Sequence, residues 1–422
     1  MKRMRLFVTA FVILLPCSLL GADISLTLDE AIAIALRDNR DILIKAQDIK
    51  KAKEKISEAK ADFFPSLNFT GTWADARGLY AKDIASVKTQ ATLKQYLYKG
   101  GKTINTITYN EYGVSVAQAL VDKTKLEIIF NVQKAFYTLL LAQEYSGINK
   151  EILDNVKAHL SSQSLRYQNG QVSESDILNI NKSMSNIEEA YELSLNQIQA
   201  AQSLLKNLLY AQDNIKINPQ GEFLYEQDEV AYDEAFLKAM RTRPEIQQYE
   251  AQQAAAKKSI EIARADSRPA IYASWDYYSS SVSSLTFSPT KAWNDYNLIG
   301  LTFSWPVFDG WATRHKVEQS IVDLKEAELS KQKIVRDIAL ELKTAYLSLK
   351  NSIAGIKTAE ADLNIFKDNL SVIKQKNQFG IASFLDLDDA ALSYNISAFN
   401  RRQAIYDYII AKVSFEKATG GI

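Results

Sequence analysis

Cysteine is almost missing from this sequence: the only one among 422 residues is Cys17. It lies in a stretch that is first basic and then apolar, which is the composition of a secretory signal. We therefore expect residues 1–22 to be a signal peptide, and the mature chain to have no thiol and no disulfide. Pro16 stands where a lipoprotein cleavage site has a small residue, so we expect no lipid anchor on Cys17.

Histidine is nearly as scarce, with only His159 and His315. Neither has a second His or Cys at the spacing of metal ligands, so we interpret both as surface or packing residues and predict no metal site. The sequence also has no serine-hydrolase or zinc-protease motif. We therefore expect a protein that is not an enzyme and needs no cofactor.

An excess of charge and long apolar runs are also missing. Lys and Arg total 50 and Asp and Glu total 50; without Lys2, Arg3 and Arg5 of the leader, the balance is 47 to 50. Such a balance gives no reason to expect a nucleic-acid partner. After the leader no apolar run is long enough for a transmembrane helix. The few prolines and glycines, 7 and 15, favour long helices.

Two short segments, 210 positions apart, share a pattern of Gly, Ser three residues later, and Asp after three more. The Gly is suited to end one helix in the left-handed conformation, and the Ser to cap the next. Each segment therefore predicts a tight turn, here called a tip, between antiparallel helices. The matching residues are Gly170, Ser173 and Asp176 in the first tip, and Gly380, Ser383 and Asp386 in the second.

The rest of the chain is duplicated in the same way. We predict a first repeat at 23–212, a linker at 213–229 and a second repeat at 230–422, each in the order helix, two strands, long helix, tip, helix. Asp233-Glu234-Ala235 matches Asp29-Glu30-Ala31 at an offset of 204. Alternating apolar and polar residues predict strands at about 65–80, 86–98, 269–283 and 294–308.

The four strands have one apolar and one polar face. In an exported chain without transmembrane helices, this pattern suits an outer-membrane barrel. Four strands do not close a barrel, whereas two chains supply eight and three supply twelve. Because eight strands leave an interior filled by side chains, a conduit favours three chains. A soluble sandwich with aromatic residues in its core remains the alternative.

Lys and Glu recur throughout the helices, which therefore belong in water. The long helix predicted at about 102–167 would extend on the order of 100 Å into the periplasm. Periodicity alone does not distinguish a tube from a solvated coiled-coil rod. A periplasmic coiled-coil adaptor or scaffold without a pore is thus the alternative function.

The order and duplication of these motifs resemble the outer-membrane efflux protein (TolC-like) family over essentially the whole mature chain. The resemblance implies an α+β membrane protein: a trimer whose 12-stranded β-barrel is continuous with a long periplasmic α-helical barrel. It also implies the exit duct of a tripartite efflux pump or a type I secretion system. The motifs are the Thr27-Leu28-Asp29-Glu30-Ala31 start, the strand end Pro306-Val307-Phe308-Asp309-Gly310, and the two tips.

The resemblance also implies roles for particular residues. Asp386 and Asp389 match the carboxylates of the periplasmic entrance constriction, and Asp388 adds a further charge beside them. Partners implied are two further copies of the chain, outer-membrane lipid, a periplasmic adaptor (membrane fusion) protein and an inner-membrane pump of the RND, ABC or MFS type. Residues expected to meet the adaptor are Tyr167, Gly170, Ser173, Phe379, Gly380 and Ser383.

One family feature is not preserved in this sequence. A charged link that closes the entrance in the type protein falls here on Asn377, Ala382 and Ser185, here called the latch positions. None of these three side chains forms an ion pair. We therefore expect other contacts to hold the entrance closed, or a less secure closed state.

Overall fold

A computed structural model describes residues 23–76, 84–225, 231–283 and 293–421. The predicted signal peptide, the end of the strand predicted at 65–80 and part of the predicted linker lie outside these ranges. The described chain is mostly helical. Its helices are α1 (Leu28–Asp38), α2 (Arg40–Lys60), α3 (Lys102–Gln168), α4 (Glu174–Leu209), α5 (Tyr232–Thr242), α6 (Pro244–Ala265), α7 (Ala312–Gln378) and α8 (Phe384–Thr419).

No helix in the described ranges is both long enough and apolar enough to cross a membrane. The strands are β1 (Asp23–Thr27), β2 (Ser66–Ala76), β3 (Ile84–Lys99), β4 (Lys216–Gln220), β5 (Ala270–Ser283) and β6 (Asn294–Ser304).

The start of α1 shows how its sequence sets its boundary. The Thr27 side chain accepts a hydrogen bond from the Glu30 backbone, and the Glu30 carboxylate accepts one from the Thr27 backbone at 2.9 Å. This reciprocal capping satisfies backbone N–H groups that the first helical turn leaves without partners. The periodicity of the first repeat predicts one helix up to Asp62, whereas the structure breaks it at Asn39, whose extended backbone (ψ 124) separates α1 from α2.

Strands from both repeats form one antiparallel sheet in the order β2-β3-β5-β6. Within this sheet the two repeats meet at β3 and β5, where Leu93 pairs with Trp275 and Ala91 with Tyr277. Since directly paired residues share a face, one side of the sheet collects apolar side chains that are largely exposed. They include Leu67, Phe69, Trp73, Ile299, Leu301 and Phe303.

The segment predicted as a linker, 213–229, contains the short strand β4. It pairs in parallel with β1, with Ile24 opposite Ile217 and Leu26 opposite Pro219. Ile217 is 1% exposed, so this small sheet contributes to a packed core. The start of the first repeat is thereby held beside the segment that follows α4.

The described residues cluster into two compact units. The tip unit contains 23–39, 131–225 and 352–410, and its core includes Phe136, Leu139, Leu205 and Ile356. The sheet unit contains the four-stranded sheet, α2, α5, α6 and the remaining parts of α3, α7 and α8, with Ile338 and Leu342 fully buried.

Candidate functional site at the tips and the start of α8

The first tip has the predicted backbone geometry. Gly170 adopts a left-handed conformation with φ +71, where a residue with a Cβ would be strained. The N–H groups of Gly170 and Gln171 donate to the carbonyl groups of Tyr167 and Arg166, both at 2.9 Å. This pattern satisfies the last carbonyl groups of α3. Ser173 then caps α4, because its side chain accepts from the Asp176 backbone.

The second tip repeats this geometry. Gly380 has φ +70, and its N–H donates to the Asn377 carbonyl group at 2.9 Å. Ser383 is placed before α8 as Ser173 is before α4, and accepts from the Asp386 backbone at 3.1 Å. Phe379 is 80% exposed and Ile381 75%. The second tip therefore presents two large apolar side chains to its surroundings, which is unusual for a solvated turn.

The three candidate entrance carboxylates lie in the first turns of α8 but in different environments. Asp386 is exposed, and its carboxylate accepts hydrogen bonds from the Ser383 hydroxyl at 2.7 Å and backbone N–H at 2.8 Å. These bonds lower the pKa of Asp386 below its usual 3.8. Asp389 is also exposed. Both carboxylates are therefore accessible to solvent.

Asp388 faces elsewhere. Its Oδ2 lies 3.1 Å from Nδ1 of His159 in α3, and its side chain is 38% exposed while that of His159 is 7% exposed. Burial, with the nearby charge of Asp389, raises the pKa of Asp388 to about 6. Burial also lowers the pKa of His159. Burial therefore disfavours the charged form of both groups, although their polar atoms lie close together.

The His159–Asp388 contact is one of several polar contacts between α3 and the antiparallel α8. The hydroxyl groups of Thr138 and Tyr406 are 2.9 Å apart. Further along, Arg402 donates to the Glu144 carboxylate at 2.9 Å. Residue numbers rise along α3 as they fall along α8, so these contacts share one helix register. His159–Asp388 lies nearest to the tips.

The hydrogen bonds described at the latch positions are local. The Asn377 side chain donates to the Ala382 carbonyl group within the second tip at 3.1 Å. The Ser185 hydroxyl donates to the Asn181 carbonyl group one turn earlier in α4 at 3.2 Å. Neither of these bonds joins one helical hairpin to the other.

A cavity of about 380 Å³ lies between α3, α4 and the start of α8. Its walls combine apolar residues such as Ile152, Val156 and Leu392 with a larger number of polar ones, and its charged or titratable groups are His159, Arg166, Asp176, Asp388 and Asp389. Packing at this point is therefore looser than in the core around Phe136, and the contact between His159 and Asp388 lies at the cavity wall. Within the described residues no group of His, Cys, Asp and Glu is arranged to hold a metal ion.

His159 is the residue that sequence reasoning interpreted only as a surface or packing residue. The signal that would have found it is helix register. Once α3 and α8 are taken as antiparallel neighbours, the Glu144–Arg402 pair places His159 close to Asp388.

Comparisons with known proteins identify relatives along nearly the whole chain. The family model described as "Outer membrane efflux protein" matches residues 31–209 and 237–421. Outer membrane protein TolC of Escherichia coli (strain K12) is 20% identical over 399 residues, which cover 90% of this chain and 80% of TolC.

Two solved channels show the same fold. The Campylobacter jejuni CmeC outer membrane channel matches with a TM-score of 0.76 and 19% identity, covering 93% of this chain and 85% of CmeC. The open state of the Neisseria gonorrhoeae MtrE outer membrane channel matches with a TM-score of 0.75 and 17% identity, covering 93% and 89%.

Proposed function

The chain belongs to the outer membrane efflux protein family, and from this membership we propose that it is the outer-membrane exit duct of a tripartite efflux pump or a type I secretion system. The duct is passive: it provides cargo with a path across the periplasm and the outer membrane. The observation that carries this proposal is the four-stranded sheet, which both repeats build and whose apolar face is exposed.

The sheet supports assembly of three chains into one barrel. Within the described ranges β2 and β6 each have one edge with no neighbouring strand. A backbone group without a partner in lipid costs several kcal/mol, so a membrane sheet closes on itself. Three copies supply twelve strands, enough to enclose a conduit. Exposed aromatic residues such as Trp73, Tyr98 and Trp305 suit the interfaces between lipid and water.

The helices support a periplasmic extension. α3 and α7 have 67 residues each, which corresponds to about 100 Å per helix. Their charged residues favour water over lipid, so three copies packed side by side would form the wall of a helical tunnel. The exposed tips around Gly170 and Gly380 are the surfaces we assign to the adaptor, which connects the duct to an inner-membrane pump.

The start of α8 forms the entrance in this proposal. Asp386 and Asp389 are exposed, and three copies would place them in two rings of three carboxylates. Rings of negative charge attract cations and select for them. Because Ser383 holds the pKa of Asp386 below 3.8, the Asp386 contribution to cation selectivity should persist from about pH 7 to about pH 5.

The test is conductance and ion selectivity of the purified protein in a planar bilayer. We expect a cation-selective pore whose selectivity and divalent block weaken severalfold in Asp386→Asn/Asp389→Asn. Asp176→Asn is the matched control, because Asp176 caps α4 as Asp386 caps α8, and it should leave selectivity unchanged. A pore indifferent to the double substitution would refute the aspartate entrance. A folded oligomer without a pore would refute the duct and favour the adaptor.

A further inference from the structure

Asp388 occupies a position that distinguishes it from the two exposed carboxylates beside it. It lies two residues after Asp386 and directly before Asp389, in the same first turns of α8. Its side chain points to α3, where it meets His159 at 3.1 Å. Because neighbouring residues of a helix move together, any contact that holds Asp388 also fixes where Asp386 and Asp389 lie.

The pair lies at the tip end of the contact between α3 and α8. The cavity between α3, α4 and the start of α8 lies beside it, and His159 and Asp388 both form part of the cavity wall. The next polar contact between α3 and α8, Glu144–Arg402, is about four helical turns further from the tip. On the tip side of that contact the rings of Tyr145 and Phe399 also pack together, with centroids 4.5 Å apart. Among the described contacts between α3 and α8, His159–Asp388 is the polar one that lies nearest to the tip.

The pair is not a by-product of the duplicated fold. At the offset of 210, His159 corresponds to Asn369 and Asp388 corresponds to Leu178. Both counterparts are exposed, and their side chains have no means of forming an ion pair. The contact is therefore found between α3 and α8, at the end of α8 that follows the second tip and holds the candidate entrance. The corresponding positions of α7 and α4 lack it.

We propose that His159 and Asp388 form the link that holds the entrance end of α8 against α3 and keeps the duct closed, in place of the charged link missing at the latch positions. Asp388 is thus a positioning residue that acts on Asp386 and Asp389, and is not a third ring of the constriction. The inference rests on the proposed duct function and names what regulates its entrance. Local bonding of Asn377 and Ser185 agrees with the closing contact having moved.

Two measurements on single channels in a planar bilayer, open probability and cation selectivity, distinguish the two roles of Asp388. A closing contact with His159 affects open probability, whereas a ring of carboxylates affects cation selectivity. Asp388→Asn and His159→Gln should each raise open probability severalfold, because each removes the close contact between α3 and α8 near the tip. Cation selectivity should stay at the wild-type value in both. In Asp386→Asn/Asp389→Asn, by contrast, selectivity should fall.

Two further variants test whether the effect belongs to the pair. His159→Gln/Asp388→Asn should open no more often than either single variant, because each already removes the same interaction. Arg402→Gln removes the polar contact further along the same helices and should leave open probability unchanged. Thermal midpoints of all variants in detergent establish that each one is folded.

Several results would overturn the inference. One is reduced cation selectivity in Asp388→Asn with unchanged open probability, which would make Asp388 part of the constriction. Others are single effects that add in the double variant, or an Arg402→Gln channel that opens equally often. Each presupposes a conducting wild type; a wild type without a pore would instead overturn the proposed function.

Discussion

The two repeats solve the same folding problems, at some positions with the same residues and at others with different chemistry. At the tips they agree, since Gly170 and Gly380 have φ of +71 and +70 and a Ser follows each after three residues. At the His159–Asp388 contact they differ, because the second copy of the pair does not exist. Residues that are the same in both repeats are therefore those that the backbone conformation requires. Residues that differ indicate a function that only one repeat has.

The break between the first two helices of each repeat shows the comparison most clearly. Asn39 and its counterpart Arg243 have nearly the same backbone, φ −64 and −63, with ψ 124 in both. Asn39 donates to the Leu208 carbonyl group at 3.2 Å, and Arg243 donates to that of Ala418 at 3.2 Å. Leu208 and Ala418 are also 210 positions apart, so both repeats attach this break to the end of their last helix.

The largest difference between the repeats should be in the free energy of unfolding lost when the side chains of Asn39 and Arg243 are replaced. Arg243 is 5% exposed and also donates to the carboxylates of Glu245 and Glu341, the former itself buried. Arg243→Met would leave Glu245 charged and without this partner, at a cost of about 3–5 kcal/mol. Asn39→Ala removes a neutral hydrogen bond and should cost about 1 kcal/mol. Denaturant unfolding of the purified protein in detergent measures both.

A second variant tests the reason for that difference. Arg243→Met/Glu245→Leu removes both charged partners, so neither position keeps a buried charge without its partner. Much of the stability lost in Arg243→Met should therefore return. Equal losses in Arg243→Met and Asn39→Ala, or no recovery in the double variant, would show that the charge network is not what distinguishes the second repeat.

The next comparison is between the two tips, where stability and function should separate. Gly170→Ala and Gly380→Ala each place a Cβ at positive φ in open space, so each should cost about 1–2 kcal/mol.

If the second tip is the more demanding adaptor surface, as its exposed Phe379 and Ile381 indicate, a bulkier change should impair pump assembly more at Gly380 than at Gly170. Drug resistance and adaptor crosslinking of Gly170→Val and Gly380→Val measure this. Equal impairment, or none, would contradict it.

Much of this architecture was predictable because its signals are local. The tips depend on Gly, Ser and Asp within seven residues, and the strands on alternation over ten or more. The family resemblance drawn from these motifs is confirmed. The assignment of Asp386 and Asp389 to an entrance stays a prediction, which the conductance experiment tests.

What the sequence did not predict depends on residues far apart in the chain. β1 and β4 have five residues each, too few for a periodicity, and β4 contains Pro219, which argues against a strand interior. The break at Asn39 has no neighbouring Gly or Pro from which the end of a helix could be predicted. The His159–Asp388 contact follows from the register between two helices of different repeats, which no local pattern specifies.

The smallest effect concerns the ends of α4 and α8. Tyr210 and its counterpart Gly420 both end their helices at positive φ, +53 and +72, but only Tyr210 bears the steric cost of a Cβ there. Tyr210→Gly should therefore be more stable than Tyr210→Ala by about 1 kcal/mol, a difference that cancels the loss of the Tyr side chain common to both variants. Thermal midpoints in detergent give the comparison. An Ala variant as stable as the Gly variant would mean that the left-handed conformation at this helix end is not strained, and that Gly at 420 is needed only for the close approach of Thr242, whose Oγ1 would lie 2.9 Å from an added Cβ.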